Sequence, residues 1–152
     1  MRKTVFLISA AVAATFALGA TAQVKADTAI EYRQGVYDVI SWNFGAMAKM
    51  VKGEAPYDKE AFAKRAANVA IMAPMALEGF TPGSDKGDEQ KTKAKPAIWE
   101  KMDDFKAKMT KFTDESAKLA AISKTGSFDD IKKQFGATGA ACKACHDDYK
   151  QK

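Results

Sequence analysis

The feature that most constrains this 152-residue chain is the motif Cys142-Lys143-Ala144-Cys145-His146 near its C-terminus. Two thiols separated by two residues and followed at once by a histidine form the attachment motif of c-type haem. Each thiol can add across one haem vinyl group, and the adjacent imidazole is then held at the iron as its axial ligand. On a helix, the two thiols and the imidazole share one face and can point at one porphyrin. The motif therefore predicts one covalently bound haem c.

Other uses of a Cys-x-x-Cys pair fit the sequence less well. A disulfide between Cys142 and Cys145 is compatible with an exported protein. A thioredoxin-like redox pair needs a βαβ setting, and the chain has no strand pattern. A zinc site needs four ligands, whereas the whole chain contains two Cys and one His. Haem attachment is the hypothesis that this set of ligands favours.

The N-terminal segment has the composition of an export signal. Arg2 and Lys3 precede an apolar stretch over 5–18 and a small-residue cleavage site ending at Ala22. The alternative is an uncleaved anchor, but a membrane span needs about 20 apolar residues and this stretch is shorter. A second cleavage site follows Ala26. Cleavage after either site would release a soluble mature chain.

We therefore predict a signal peptide at 1–22, one mature domain at 23–152 and a periplasmic location, where bacteria attach haem covalently. The formal net charge at pH 7 is +5, and loss of Arg2 and Lys3 with the signal lowers it to +3. Such weak basicity does not indicate nucleic-acid binding. The lysines are those of solvated helix faces.

Apolar residues recur at helical spacing through the mature chain, and no segment alternates with the period of a strand. Four helices are predicted, at about 28–51, 59–77, 96–125 and from 128 onward. Short connections make neighbouring helices antiparallel. The predicted fold class is all-α, an up-down-up-down four-helix bundle with the haem near the C-terminal end of helix four. The predicted inward-facing residues include Val36, Ile40, Phe44, Met47, Phe62, Val69, Met72, Ala76, Ile98, Phe105, Met109, Phe112, Leu119, Ile131, Phe135 and Tyr149.

Breaks between the helices carry recognisable signals. Pro74 is predicted to kink helix two or end it early. The Gly- and Pro-containing segment 79–95 predicts an exposed loop. Pro96 suits the first position of helix three. Ser127 and Asp130 predict a capping box at the start of helix four.

The bundle topology limits which residues can reach the iron from the side opposite His146. Antiparallel helices one and four bring that side to the level of about Arg33 to Ile40. No second histidine exists, and Met47 lies about 15 Å beyond Tyr37 along helix one. The other candidates, Met72 and Met75, belong to the opposite end of the bundle. The expectation is a five-coordinate, high-spin iron with His146 as the only strong protein ligand.

Three residues of helix one fall at this level. Arg33 is either a partner of a haem propionate, through its planar guanidinium, or a solvated surface residue. Gln34 is a weaker candidate because a helical Gln is usually exposed. Tyr37 is predicted to form a steric wall on the distal side, although a Tyr phenolate also serves as an iron ligand in catalase.

Beyond the motif, several segments resemble the cytochrome c′ family, the class II c-type cytochromes. These are Tyr32-Arg33-Gln34 and the stretches 51–58, 80–84, 135–136 and 142–150. The resemblance covers essentially all of 23–152. It implies a four-helix bundle, haem c held by the two cysteines, and axial ligation by the histidine.

The resemblance also implies roles for single residues. Arg33 and Gln34 match residues that contact the haem edge, and Asp88 falls near another such position, beside extra residues that precede Pro96. Tyr37 matches a bulky distal residue that shields the iron. Lys150 stands where an arginine often lies on the proximal side. Family members are commonly homodimers built on the surfaces of helices one and two.

The predicted function is electron transfer combined with the binding of small diatomic gases, NO and CO. An enzyme such as a peroxidase would need a distal acid–base group, usually histidine, and the only histidine is the proximal ligand. We therefore expect no enzymatic activity. The alternative is a low-spin relative with a Met axial ligand, which would act only as an electron carrier.

Overall fold

The computed structural model describes residues 24–152, and the predicted signal peptide lies outside them. The helices are α1 (Ala26–Val51), α2 (Lys59–Glu78), the single turn α3 (Ala97–Glu100), α4 (Met102–Thr125) and α5 (Phe128–Tyr149). The four long helices form a bundle, which confirms the predicted all-α fold. Among the described residues, no helix is long and apolar enough to cross a membrane.

The structure excludes an early end of α2 at Pro74, one of two predicted alternatives, and differs from the prediction in the third helix. Pro74 does not end α2, which continues to Glu78 because the fully buried Ala73 and Ala76 hold it against its neighbours. The predicted third helix is interrupted at Lys101, with φ −126° and ψ 45°. The preceding turn is tied instead to the 79–95 loop, since the Trp99 indole N–H donates to the Thr81 carbonyl at 2.8 Å.

Neighbouring helices are antiparallel, as predicted. Tyr32 on α1 donates to the Glu78 carboxylate at 2.9 Å, and the Asn68 amide donates to Asn43 at 3.1 Å, so rising numbers on α1 meet falling numbers on α2. The core between the helices contains most of the predicted inward-facing residues. Its buried apolar members include Val36, Ile40, Met47, Phe62, Val69, Ala76, Ile98, Phe105, Met109, Phe112, Leu119, Ile131 and Tyr149.

Helices α1 and α5 are separated along part of their length. The main packing pairs are α1 with α2, α2 with α4 and α4 with α5. α1 and α5 meet at the stacked rings of Phe44 and Phe135, whose centroids are 4.2 Å apart. Toward the start of α1, the two helices flank a cavity instead. The fold therefore leaves open the region where the Cys-x-x-Cys-His motif lies.

Candidate haem site

A cavity of about 680 Å³ lies between the first half of α1 and the last turns of α5. Its volume falls within the range of about 300–1,000 Å³ that is typical of ligand and cofactor sites. All the predicted site residues except Asp88 line it. They are Arg33, Gln34, Tyr37, Cys142, Cys145 and His146.

The motif lies in the last two turns of α5, which is a continuous helix through Tyr149. Cys142, Cys145 and His146 therefore face one cavity, as their spacing predicts. Both cysteines are free. Burial raises the pKa of each thiol to about 11, so both remain in the S–H form at neutral pH. That is the form that can add across a vinyl double bond.

The His146 imidazole is kept in its neutral form. Burial lowers its pKa, and the positive charge of Lys150 lowers it further, while Asp147 acts in the opposite direction. A neutral imidazole has a free nitrogen lone pair, which is what an iron ligand requires. The motif thus presents the chemical groups of a c-type haem site in the protonation states that the site needs.

Arg33 is a buried residue, with only 2% of its surface exposed, so the alternative of a solvated surface arginine is wrong. Its Nη1 donates to the Gly79 carbonyl at 2.8 Å and to Ser84 Oγ at 2.9 Å. Its Nη2 donates to the Ser84 carbonyl at 2.8 Å and to Thr92 Oγ1 at 3.0 Å. The ring of Phe80 lies 4.9 Å from the guanidinium carbon. Arg33 therefore ties the 79–95 loop to α1.

Tyr37 and Met109 form one wall of the cavity together. The Tyr37 hydroxyl donates to the Met109 sulfur at 3.6 Å, which connects α1 to α4. Burial raises the pKa of Tyr37, and the nearby Cys145 and Cys142 raise it further. The phenol is therefore protonated at neutral pH. Met109 was predicted only as a core residue, and its position on this wall was missed because periodicity does not distinguish a cavity wall from a filled core.

Asp88 does not line the cavity. Its neighbours Glu89 and Gln90 donate their backbone N–H groups to the Asp27 carboxylate, with the Gln90 bond at 2.9 Å, so this part of the loop is held at the start of α1. The loop residues on the cavity wall are Phe80, Thr92 and the two residues that follow Thr92. The expectation that the 79–95 loop is simply exposed is also wrong, since Ser84 is fully buried.

Residues 91–95 are the last part of the 79–95 loop and are called the strap from here on. Backbone hydrogen bonds join the strap to the end of α5. Ala94 forms a β-bridge with Lys150. The Lys95 N–H donates to the Tyr149 carbonyl at 3.0 Å, and the Gln151 N–H donates to the Lys93 carbonyl at 2.8 Å. The sequence contains a weak signal for this segment, the alternating Lys-Thr-Lys-Ala-Lys, which we predicted only as exposed loop.

The end of the cavity beside the strap carries most of its charged and amide groups and is called the polar end; these residues are Arg33, Gln34, Thr92, Lys93 and Lys150. Apolar residues line most of the remaining wall and also reach the strap, since the Ile98 N–H donates to the Lys95 carbonyl at 3.1 Å. This division suits a flat ligand with carboxylates on one edge and an apolar body. The apolar walls are formed by Ile40, Phe44, Gly45, Ile98, Phe105, Phe112 and Gly139.

A bundle whose last helix aims two thiols and an imidazole into a cavity of this size belongs to the helical c-type haem proteins. The sequence matches the family model described as Cytochrome C' over residues 28–150. Cytochrome c' of Rubrivivax gelatinosus is 44% identical over 128 residues, which are 84% of this chain and 98% of that relative. The chain belongs to the cytochrome c' family, and its cofactor is haem c.

Solved structures agree with this assignment. Cytochrome c prime from Shewanella frigidimarina has a TM-score of 0.80 and 45% identity, covering 84% of this chain and 98% of that chain. A nitric oxide complex of a variant of cytochrome c prime from Alcaligenes xylosoxidans has a TM-score of 0.76 and 34% identity. That comparison covers 85% of this chain and 98% of the other.

Proposed function

We propose that this protein is a periplasmic electron carrier that also binds NO and CO at a five-coordinate, high-spin haem iron. The observation that carries the proposal is the asymmetry of the cavity. One wall presents His146 beside two thiols, and the wall formed by α1 and α4 presents Tyr37 and Met109. When bound, the haem supplies a redox-active iron with an open coordination position.

Each residue of the motif has a separate task in this proposal. The Cys142 and Cys145 thiols would each add S–H across one vinyl double bond of the haem, which gives two thioethers and leaves no atom over. The neutral His146 imidazole would supply the protein ligand to the iron. Lys150, which follows the end of α5, lines the same cavity with a flexible ammonium group.

The hydrogen bond between Tyr37 and Met109 supports an open sixth position. Because the hydroxyl donates to the sulfur, a lone pair of the thioether is engaged and the Tyr37 ring is held in the wall. The raised pKa of Tyr37 keeps the phenol protonated, which disfavours a phenolate ligand. A small diatomic gas fits beside such a wall more easily than a larger ligand.

The second candidate function also has an observation in its favour. The sulfur of Met109 lines the same cavity as His146, although no methionine was expected to reach the iron. If the Met109 sulfur lost its hydrogen bond from Tyr37 and bound the iron instead, the protein would be a low-spin haem protein that only transfers electrons. The two candidate functions therefore differ in whether the Met109 sulfur binds the iron.

Absorption spectra of the holoprotein, with and without NO and CO, decide between them. We expect a high-spin spectrum, no sulfur–iron charge-transfer band in the far red, and rapid spectral changes with both gases. A sulfur–iron band that disappears in Met109→Leu but persists in Met102→Leu would contradict the five-coordinate proposal. Met102 is a matched control because it is also on α4 but does not line the cavity.

We further propose that the protein is not an enzyme. Peroxide cleavage needs an acid–base group opposite the proximal ligand, and the raised pKa of Tyr37 keeps its phenol protonated near neutral pH, which makes it a poor general base. Fast peroxide turnover by the holoprotein would contradict this.

We propose that the protein forms a homodimer in which the outer faces of α1 and α2 contact a second copy of the chain. Val39 and Trp42 on α1 are 42% and 76% exposed, and Ile71 and Met75 on α2 are 59% and 37% exposed. The antiparallel register of the two helices brings these side chains to the same level of the bundle. They therefore make one apolar patch on an outer face, of the kind that marks protein–protein contacts.

A further inference from the structure

The strap is fixed to the protein on two sides of the cavity mouth. On the α1 side, Gln34 donates to the Lys91 carbonyl at 2.7 Å and Arg33 donates to Thr92. On the α5 side, the bridge between Ala94 and Lys150 continues the attachment. The backbone of Lys93 is therefore held at the rim, between two anchored residues.

Arg33, the residue expected to pair with a haem propionate, has no terminal N–H left for that task. Its two terminal nitrogens carry four N–H groups, and these make the four hydrogen bonds to Gly79, Ser84 and Thr92. Breaking one of them would leave a buried acceptor without its donor, which is unfavourable. The cations at the polar end of the cavity whose ammonium groups are unpaired among the described residues are Lys93 and Lys150.

The lysines of the strap differ in how they are used. The Lys95 ammonium donates to the carbonyls of Asp147 and Asp148, at 3.2 and 3.0 Å, where α5 ends. Lys91 and Lys93 are both exposed, but Lys91 does not line the cavity. Lys93 lines the cavity, and its ammonium forms no ion pair or hydrogen bond among the described residues.

Two acidic groups at the end of α5 are already paired with other lysines. Asp147 is paired with Lys143 at 2.6 Å, and Asp148 is paired with Lys108 at 3.2 Å. Among the residues of 24–152 that line the cavity, Asp38 on α1 is the acidic one. A carboxylate entering the polar end therefore meets unpaired positive charge from the strap.

We propose that Lys93 is a cofactor-positioning residue whose ammonium forms a charge-assisted hydrogen bond with one haem propionate. The inference rests on the proposed haem attachment, because thioethers on the vinyl edge of a haem direct the opposite, propionate edge away from the cysteines. Such a bond is about twice as strong as one between neutral groups. In this proposal the strap holds the carboxylate edge of the cofactor at the mouth of the cavity.

The test compares Lys93→Gln with Lys91→Gln in the holoprotein. The two lysines lie two residues apart on one strap and carry the same charge, but only Lys93 lines the cavity. The measurements are the reduction potential at pH 7 and the propionate bending band of the resonance Raman spectrum, which reports hydrogen bonding to haem carboxylates. We expect Lys93→Gln to lower the potential and shift the band, and Lys91→Gln to produce less than about a third of either change.

Two outcomes would overturn the proposal. Equal shifts in both variants would mean that Lys93 acts only as general surface charge, and an unchanged propionate band in Lys93→Gln would mean that it makes no bond. The mass of the denatured protein separates these results from a failure of the proposed function. Protein without covalently bound haem would refute both proposals, whereas attached haem with an unchanged band refutes the role of Lys93 alone.

Discussion

Arg33 combines positive charge with complete burial, and the structure explains this by hydrogen bonds rather than by an ion pair. Each terminal nitrogen meets two oxygen acceptors of the 79–95 loop. The approach is so close that a Cβ on Gly79 would lie 2.5 Å from the Cβ of Arg33. A glycine is needed there because any larger residue would push the loop away from α1.

The first residue-scale prediction concerns Arg33→Lys. A lysine keeps the charge but loses the planar fork, so at least one buried acceptor of the loop is left without its donor. We expect the free energy of unfolding of the holoprotein to fall by about 2 kcal/mol, measured by guanidinium chloride titration.

Arg65→Lys is the matched control. Arg65 lies half-buried on α2 and forms no side-chain hydrogen bond with residues 24–152, so this change should stay within about 0.5 kcal/mol of the parent protein. Equal losses in the two variants would show that the fork geometry of Arg33 is unimportant.

At the scale of elements, α4 and α5 are joined by a polar cluster around Glu115. The Glu115 side chain accepts from Lys111 at 2.8 Å, from Lys118 at 3.0 Å and from Gln134 of α5 at 2.6 Å. Thr138 of α5 also donates to the Glu115 carbonyl at 3.2 Å. This single carboxylate is therefore a point where two helices are held in register.

The Glu115 cluster predicts a dependence of stability on pH. Hydrogen bonds from Lys111, Gln134 and Lys118 lower the pKa of Glu115 from 4.5 to about 2. A lowered folded-state pKa stabilises the protein above the unfolded-state value, and this stabilisation is lost as the pH falls from about 4.5 to about 2. We expect Glu115→Gln to remove part of that slope in acid titrations of the unfolding free energy.

Asp114→Asn provides the comparison for Glu115→Gln. Asp114 is the exposed neighbour of Glu115 and makes no ion pair within the described part of the chain. Its substitution should leave the acid slope close to that of the parent protein. A Glu115→Gln variant with the full parental slope would mean that the cluster does not stabilise the fold.

At the scale of the whole molecule, the proposed dimer can be tested by its exposed aromatic residue. Trp42 is the most exposed residue of the apolar patch on α1 and α2, at 76%. Trp42→Glu places a charge where two copies would meet, so we expect a monomer by analytical ultracentrifugation at concentrations where the parent protein is a dimer. An exposed tryptophan contributes little to a monomeric fold, so the haem spectrum should not change.

Lys106→Glu is the control for the dimer experiment. Lys106 is exposed on α4, away from the patch, so its replacement by Glu reverses a charge without changing α1 or α2. This variant should remain dimeric. Dissociation of both variants, or of neither, would contradict an interface centred on Trp42.

Local sequence patterns were sufficient to predict the helices and the central motif. The stripes that include Phe62 and Phe105 are buried where helical spacing predicts, because burial of one helix face depends on residues three and four apart. The same short-range geometry puts Cys142, Cys145 and His146 on one face of α5. The turn at Lys101 was missed because it depends on a loop bond from Trp99 to Thr81.

The sequence by itself determined the c-type haem motif, the four helices and the absence of a second histidine, since each is a property of residue identity or short spacing. Only the tertiary structure decided the bonding of Arg33, the place of Met109 on the cavity wall and the path of the strap. Arg33 reaches partners 46, 51 and 59 residues away, and Tyr37 meets Met109 across 72 residues. Such contacts depend on how the helices and the loop pack together, which no local periodicity encodes.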